Sequence, residues 1–302
     1  MSIINTIKFG SIEAGGTKFV LVAADENYNV IQRKRIPTTT PKETLSKCLS
    51  FFKKHQVSAL GIGSFGPIDI DQKSKSYGYI LKTPKSNWAN TNIVGVLRDA
   101  LHIPVAFTTD VNASAYGEYV AGHAKDCSSV VYFTIGTGIG GGAIQNDQFI
   151  GGLTHPEMGH TLIVPRSDDS FCGICPFHHN YCFEGMASGP AIEARTGNRG
   201  ENLPRTDPVF DLISYYAAQL AYNTFLQLQP EKIVFGGSVL QDRDLATVRY
   251  YFNEFNHGYV ITPELNDLIV STGVSENGSA TIGNLALAKK LLSSNERIKE
   301  TS

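Results

Sequence analysis

The chain contains two stretches in which short apolar runs and polar turns follow one another in the same order. Each stretch holds three short apolar runs rich in β-branched and small residues, a pattern that predicts an antiparallel three-stranded meander. The first meander is predicted over residues 7–36 and the second over residues 130–150. Segments with helical spacing and further short apolar runs follow both meanders. This repetition predicts an α/β protein made of two related domains.

Hydrophobic spacing, helix-capping residues and turn residues define the other elements. The predicted helices cover residues 41–54, 91–101, 113–122, 210–228 and 279–292, and the predicted strands cover residues 59–63, 105–109 and 232–235. A polar, glycine-containing segment lies near residues 121–129. We therefore predict one domain over residues 1–121 and a second over residues 122–302, with the last helix packing back on the first domain.

The first turn of each meander is rich in glycine, at residues 15–16 in one and residues 136–142 in the other. Glycine can adopt positive φ and lets the backbone approach a ligand closely, and exposed amides at such turns form anion sites. Either turn alone can equally be a tight β-turn without a ligand. The presence of two at matching positions favours a nucleotide polyphosphate held between two domains.

Residues 136–141 also fit the dinucleotide pattern G-x-G-x-x-G. In a Rossmann domain that pattern connects a strand to a helix, whose N-terminus holds the pyrophosphate. Here the glycines lead into a further predicted strand, so the Rossmann interpretation fails on context. The Walker A sequence GxxxxGK[ST] is absent from the chain.

Asp110 lies between a predicted strand and a predicted helix. A carboxylate at the C-terminal end of a strand in an open α/β sheet faces the crevice in which ligands bind. Phosphoryl transfer needs a positioned base for the acceptor hydroxyl, and we interpret Asp110 as that base. The alternative is that Asp110 only caps the following helix.

Gly236 and Gly237 are predicted to end a strand and to open a helix. This pair indicates either a close approach of the backbone to the nucleoside end of a nucleotide or a plain turn between two elements.

Soft metal ligands are concentrated in one part of the chain. Glu157 precedes His160 by three residues, and the further candidates downstream are Cys172, Cys175, His178, His179 and Cys182. Short loops with this spacing can present four ligands to one tetrahedral zinc ion, and a closed four-ligand site is structural rather than catalytic. Four ligands would be drawn from six candidates. The alternative is a set of buried thiols beside a surface histidine loop.

Composition and charge narrow the class of protein. Of 302 residues, 42% are hydrophobic and 18% are charged, as in an ordinary globular protein. The formal net charge of −2 argues against binding to nucleic acid or to an anionic membrane. Neither a signal peptide nor a membrane-spanning apolar stretch is recognisable, so we expect a cytoplasmic protein. Five cysteines, an odd number, argue against a disulfide framework.

Taken together, these motifs resemble the ROK family of sugar kinases and, within it, the fructokinases of Gram-positive bacterial sucrose operons. The segments that carry the resemblance are residues 10–20, 63–71, 83–90, 108–118, 134–140, 157–160, 175–178, 236–237 and 276–288. They occur in the family's order over nearly the full length. The resemblance implies an α/β, two-lobed, actin/hexokinase-like fold, which is a duplicated ribonuclease H-like fold, closing over ATP and a sugar.

The resemblance also implies roles for individual residues. The residues matching the two phosphate loops are Gly15, Gly16, Thr17, Lys18, Thr137 and Gly138. Those matching the sugar site are Gly66, Glu157, His160 and Glu184, with Asp110 as the catalytic base. Those near the adenosine are Pro190, Gly236 and Gly237.

The family's zinc ligands correspond to His160, Cys175, His178 and Cys182. Three residues separate His178 from Cys182, one more than in related fructokinases, and His179 restores the family spacing. The histidine ligand therefore stays ambiguous at this point.

The function implied by the resemblance is ATP-dependent phosphorylation of D-fructose at its 6-hydroxyl, with ATP, Mg²⁺ and Zn²⁺ as cofactors. A mannose or glucose kinase is the alternative within the same class. A sugar-responsive regulator is the alternative outside it, and is disfavoured because Glu13 begins the first glycine motif without room for a DNA-binding module. The expected partners are a small sugar and a nucleotide, without nucleic acid or membrane, and a homodimer is expected by analogy.

Overall fold

The computed structural model describes residues 8–83, 85, 87–275 and 278–300, with the backbone alone at 296–300. Four residues of the family-like segments lie outside the described residues: Pro84, Ser86, Glu276 and Asn277. Contacts within the chain divide it into two compact units. The first comprises Met1–Ala121, Gly151–His155 and Gly278–Ser302, and the second comprises Gly122–Ile150 and Pro156–Asn277. That each unit acts as a separate lobe stays a prediction.

The first unit opens with the predicted meander and continues with helix–strand segments. Its elements in chain order are β1 (Lys8–Ala14), β2 (Lys18–Asp25), β3 (Val30–Pro37), α1 (Pro41–His55), β4 (Ala59–Ser64), β5 (Tyr79–Ile80), β6 (Thr91–Asn92), α2 (Ile93–Leu101), β7 (Val105–Thr109) and α3 (Asp110–Ala121). Five strands form one sheet in the order β3-β2-β1-β4-β7, while β5 and β6 form a separate ribbon. The strands β1, β4 and β7 are parallel.

The second unit repeats this design. Its elements are β8 (Ser129–Ile135), β9 (Ile139–Gln145), β10 (Gln148–Phe149), α4 (Phe183–Ala187), α5 (Gly189–Thr196), α6 (Val209–Leu228), β11 (Lys232–Gly237), α7 (Leu245–Asn256), α8 (Leu265–Leu268) and β12 (Ile269–Ser271). Its sheet has the order β10-β9-β8-β11-β12. The two orders correspond strand by strand, so the duplication inferred from the sequence is present in the sheet topology.

Three local predictions differ from the structure. Helix α3 begins at Asp110, three residues before the predicted start, so the carboxylate belongs to the first turn of the helix. No helix opens directly after Gly237, because the chain reaches a 3₁₀ turn only at residue 242 and α7 at residue 245. The elements α7 and β12 were not predicted, since β12 has only three residues and α7 mixes aromatic with polar positions.

Helix α9 (Ser279–Glu300) completes the first unit and covers one face of its sheet. Leu285 and Ala288 of α9 pack on apolar side chains of the sheet, whereas α1 and α2 cover the opposite face. Glycines let α9 approach α3 closely: a Cβ on Gly117 would overlap the Ser279 carbonyl oxygen, and one on Gly283 would overlap that of Ala113. The helix that begins with Asp110 is thereby fixed by backbone contact. Among the described residues, no helix is long and apolar enough to cross a membrane.

We expect Gly117→Ala to destabilise the protein by about 1–3 kcal/mol, because the new methyl group must push α9 away from α3. This cost exceeds the gain of about 1 kcal/mol in helix propensity. Urea unfolding measures the effect. Gly152→Ala is the matched control, since no atom lies within 4 Å of its Cβ position. Equal midpoints for Gly117→Ala and the wild type would contradict this packing.

Candidate active site

Three parallel strands of the first unit end side by side. Ala14 of β1 pairs with Ser64 of β4, and Ser64 pairs with Thr109 of β7. The residues that follow these three strand ends therefore emerge at one edge of the sheet, where ligands bind in open α/β folds. The first glycine turn, the turn at Gly66 and the carboxylate of Asp110 are the groups placed there.

The first glycine turn is held by a residue that sequence reasoning missed. The Gly15 amide donates to the Lys18 carbonyl oxygen at 3.1 Å, closing the turn. Thr38 binds both sides of it, because its hydroxyl donates to the Gly15 carbonyl at 2.7 Å and its amide donates to the Thr17 carbonyl at 2.9 Å. Twenty-three residues separate Thr38 from Gly15, so no local sequence signal connects them.

The glycines of this turn are not there for positive φ, contrary to the conformational argument made from the sequence. A Cβ on Gly15 would come within 2.8 Å of the Lys18 carbonyl oxygen, whereas no atom lies within 4 Å of a Cβ position on Gly16. Thr17 and Lys18 are exposed beside it. The space over Gly16 is therefore open to a ligand.

Asp110 is not needed to cap α3. The Thr109 hydroxyl accepts the Asn112 amide at 3.1 Å, which is the bond that an N-terminal cap supplies. One oxygen of Asp110, Oδ1, accepts the neighbouring Val111 amide at 2.9 Å. These contacts fix the carboxyl group and disfavour the interpretation of Asp110 as a simple cap.

The electrostatic surroundings of Asp110 favour its protonated form. Desolvation by the surrounding protein raises its pKa from 3.8 to about 6, and the nearby carboxylate of Glu13 adds to the rise, while His155 opposes it. The residue keeps a solvent-exposed surface, so the rise reflects the many protein atoms around the carboxylate and not its enclosure. A carboxyl group of this kind is matched to proton transfer near neutral pH.

Gly66 lies near the same residues of the first unit. Its Cβ position is 3.9 Å from Nε2 of His155 and 3.7 Å from the Ile68 amide nitrogen, which are ordinary contact distances. The fold alone therefore does not demand glycine here.

The second glycine turn connects β8 to β9. The Gly136 amide donates to the Gly138 carbonyl at 2.9 Å, and the Gly136 carbonyl accepts the Gly189 amide at 2.7 Å. The next amide, that of Ile139, donates to Oε2 of Glu184 at 2.8 Å. Thr137 thus lies at the tip of a turn that is fixed on both sides.

A cavity of about 620 Å³ opens beside this turn, entirely within the second unit. Gly136 and Thr137 line it together with Pro190, Ser238 and apolar and charged residues, namely Ile192, Leu203, Phe210, Val239, Glu193, Arg199 and Arg205. Its volume is in the range of small-molecule sites. Arg205 stacks on the Phe210 ring at 3.5 Å and pairs with Asp244, which fixes one wall.

Gly236 and Gly237 do not line this cavity; they border a smaller one of about 110 Å³. They end β11, where a Cβ on Gly236 would overlap the Tyr132 hydroxyl and one on Gly237 would overlap the Ile135 carbonyl. In this structure the two glycines serve strand packing, and the following residues, Ser238 and Val239, reach the large cavity.

Four of the six candidate metal ligands lie together: His160, Cys175, His178 and Cys182. Their ligand atoms all lie within 4.8 Å of one another. Nδ1 of His160 is 3.6 Å from the Cys182 sulfur and 4.0 Å from the Cys175 sulfur, which is 3.5 Å from Nδ1 of His178. Zinc bond lengths give tetrahedral ligand separations of roughly 3.3–3.8 Å. Two thiols and two imidazoles at these distances fit zinc.

A left-handed turn explains why His178 rather than His179 joins the cluster. His179 has φ of 51°, and its amide donates to the Cys175 carbonyl at 2.9 Å. This turn absorbs the extra residue before Cys182 and returns His178 to Cys175. The exposed Cys172 lies outside the cluster.

The thiol of Cys182 lacks a compensating positive charge. Burial, followed by the nearby Cys175, raises the pKa of Cys182 to about 11. A divalent cation supplies the charge that keeps two adjacent cysteines as thiolates. The donor set and its electrostatics therefore suit a metal ion.

His160 and Glu184 connect this cluster to the rest of the candidate site. His160 ends a 3₁₀ turn (Met158–His160) that follows the exposed Glu157. Its Nε2 atom, on the side of the ring away from the thiols, lies 3.7 Å from Oε1 of Glu184. The structure thus brings together His160 and Glu184 of the predicted sugar-site residues in the second unit.

The similarity to known proteins agrees with this arrangement. The ROK family model matches residues 9–291, so the protein belongs to the ROK family. A fructokinase of Streptococcus mutans is 51% identical over 289 residues, which cover 94% of this chain and 98% of the relative. A fructokinase of Lactococcus lactis subsp. cremoris is 52% identical over 289 residues, which cover 95% and 98%.

The fold is shared with solved structures of the same family. The crystal structure of a ROK hexokinase from Thermus thermophilus matches with a TM-score of 0.79 at 19% identity, covering 95% of this chain and 100% of that one. The predicted α/β, actin/hexokinase-like fold is confirmed.

We expect the purified protein to contain about one tightly bound divalent metal ion per chain, and Cys175→Ala to lose it. The loss should lower the unfolding temperature by on the order of 5 °C, because metal binding contributes to folding stability. Elemental analysis and thermal unfolding measure both effects. Cys172→Ala is the matched control and should keep metal and stability. A wild-type protein that binds no divalent metal would contradict the assignment of the cluster.

Proposed function

We propose that this protein is a fructokinase, which transfers the γ-phosphoryl group of ATP to the 6-hydroxyl of D-fructose. The observation that carries the proposal is the position of Asp110, directly after β7 and at the same sheet edge as the first glycine turn. The two full-length relatives named as fructokinases support the choice of sugar.

In the proposed reaction Asp110 accepts the proton of the sugar hydroxyl. The sugar oxygen forms a bond to the γ-phosphorus as the bond from that phosphorus to the β,γ-bridging oxygen breaks, and ADP leaves. Asp110 is suited to this role because its raised pKa makes it a stronger base than an ordinary aspartate, while it remains ionised above about pH 6.

The nucleotide is proposed to occupy the cavity of the second unit. Its polyphosphate would meet the backbone amides of the second turn at Thr137 and Gly138 and those of the first turn at Gly15–Lys18, with Pro190 and the apolar wall facing the adenosine. Mg²⁺ bound with ATP supplies positive charge to the phosphoryl oxygens. Lys18 is exposed beside the first turn and can add to that charge.

Gly66, Glu157, His160 and Glu184 are proposed to contact or organise the sugar. We propose zinc for the cluster of His160, Cys175, His178 and Cys182, as a structural ion that holds the loop carrying Glu157 and His160. The ion would shape the sugar site without taking part in phosphoryl transfer.

The proposal is tested by measuring ADP release with Mg-ATP and fructose, mannose or glucose. We expect the highest kcat/KM with fructose. Faster turnover of mannose or glucose would keep the mechanism and contradict the sugar assignment. Absence of turnover in folded, zinc-containing protein would contradict the kinase assignment and favour a sugar-responsive regulator.

We expect Asp110→Asn to lower kcat by roughly 10²–10⁴-fold while the protein still folds and binds fructose, because the amide cannot accept the proton. Asp99→Asn, at an exposed position of α2 in the same unit, is the matched control. A kcat near the wild-type value in Asp110→Asn would refute its role as base.

The pH profile tests the same residue independently. The active form of Asp110 is ionised, so kcat/KM for fructose should be constant above its pKa and fall about tenfold per pH unit below about 6. An ordinary aspartate would give the same fall near pH 4. A profile that stays flat down to pH 5 would contradict the raised pKa.

A further inference from the structure

Ile139, the residue directly after the second glycine turn, is held from two sides. Its amide donates to Oε2 of Glu184 at 2.8 Å. Its carbonyl oxygen lies so close to Gly159 that a Cβ there would overlap it. We call Glu184 and Gly159 the Ile139 clamp.

Both residues of the Ile139 clamp are attached to the Cys/His cluster. Gly159 immediately precedes His160 in the chain. Glu184 lies two residues after Cys182, in a helix whose first turn is fixed by the Gly185 amide donating to the Cys182 sulfur at 3.4 Å. The other oxygen of Glu184 is 3.7 Å from Nε2 of His160. The residues that grip Ile139 are therefore positioned by the groups proposed to bind zinc.

The turn itself leaves room for this carboxylate. A Cβ on Gly138 would lie 3.0 Å from Oε2 of Glu184, which is tighter than ordinary contact. Gly138 does not have positive φ, so the approach of Glu184 is the structural reason for glycine at this position. The carboxylate, the Ile139 amide and the turn thus form one packed unit.

We propose that the Ile139 clamp couples the Cys/His cluster to the second glycine turn, with Glu184 as a positioning residue for nucleotide binding. The inference rests on the proposed function and adds to it a dependence of nucleotide affinity on Glu184 and on the bound metal when no sugar is present. A metal-bound imidazole donates its remaining N–H to a neighbouring carboxylate, which fixes that carboxylate in turn. An ordered turn has less conformational freedom to lose when phosphates bind.

A role of Glu184 in sugar binding alone makes a different prediction. In that case, removing its side chain leaves nucleotide affinity in the absence of sugar unchanged. Binding of the ATP analogue AMPPNP with Mg²⁺, measured by calorimetry without sugar, therefore separates the two roles.

We expect Glu184→Ala to raise the AMPPNP Kd about tenfold, a loss typical of one charge-assisted hydrogen bond. Glu184→Gln keeps an oxygen that can accept the Ile139 amide and should stay within about threefold of the wild type. Glu254→Ala, at an exposed position of α7, is the matched control and should leave the Kd unchanged.

Hydrogen exchange gives a readout at the contact itself. The Ile139 amide should exchange at least about tenfold faster in Glu184→Ala and in wild-type protein stripped of metal, because it loses a fixed acceptor. Removing the chelator and restoring Zn²⁺ should recover both the protection and the AMPPNP affinity of the wild type. The control Glu254→Ala should keep wild-type protection.

Wild-type AMPPNP affinity in Glu184→Ala, or in folded metal-free protein, would overturn the coupling and leave the kinase assignment intact. Unchanged protection of the Ile139 amide in both samples would do the same. A wild-type protein that does not bind AMPPNP would overturn the proposed function together with the coupling.

Discussion

The register of the parallel strands determines where the chemical groups of the first unit lie. Because Ala14, Ser64 and Thr109 are neighbours across β1, β4 and β7, the residues that follow them share one sheet edge. A shift of one residue would turn the inward-facing side chains of a strand to its other face. The first glycine turn and Asp110 are thus placed together by apolar strands that are themselves chemically inert.

The second unit uses the same strand order for a different purpose. Ile135 of β8 pairs with Gly237 of β11, so the second glycine turn and Ser238 emerge together beside the large cavity. The insertion between β10 and α6 contains the Cys/His cluster and the residues of the Ile139 clamp. One sheet therefore presents a turn with the geometry of a phosphate site, and an attached loop holds that turn.

Much of this arrangement could be predicted from the sequence, since strand periodicity and glycine turns are local signals. The repeated meander and the position of Asp110 after a strand depend only on neighbouring residues. The contacts of Thr38 with Gly15 and of Glu184 with Ile139 join residues that are far apart in the chain, and hydrophobic patterns do not specify them. The left-handed conformation of His179 likewise depends on the bridge to Cys175. Homodimer formation stays a prediction.

The position of the transferred phosphate tests the central claim most directly. Nuclear magnetic resonance of the product formed from ATP and ¹³C-labelled fructose identifies the phosphorylated carbon. The account predicts fructose 6-phosphate and ADP in equal amounts. Formation of fructose 1-phosphate, or consumption of ATP without a phosphorylated sugar, would contradict it.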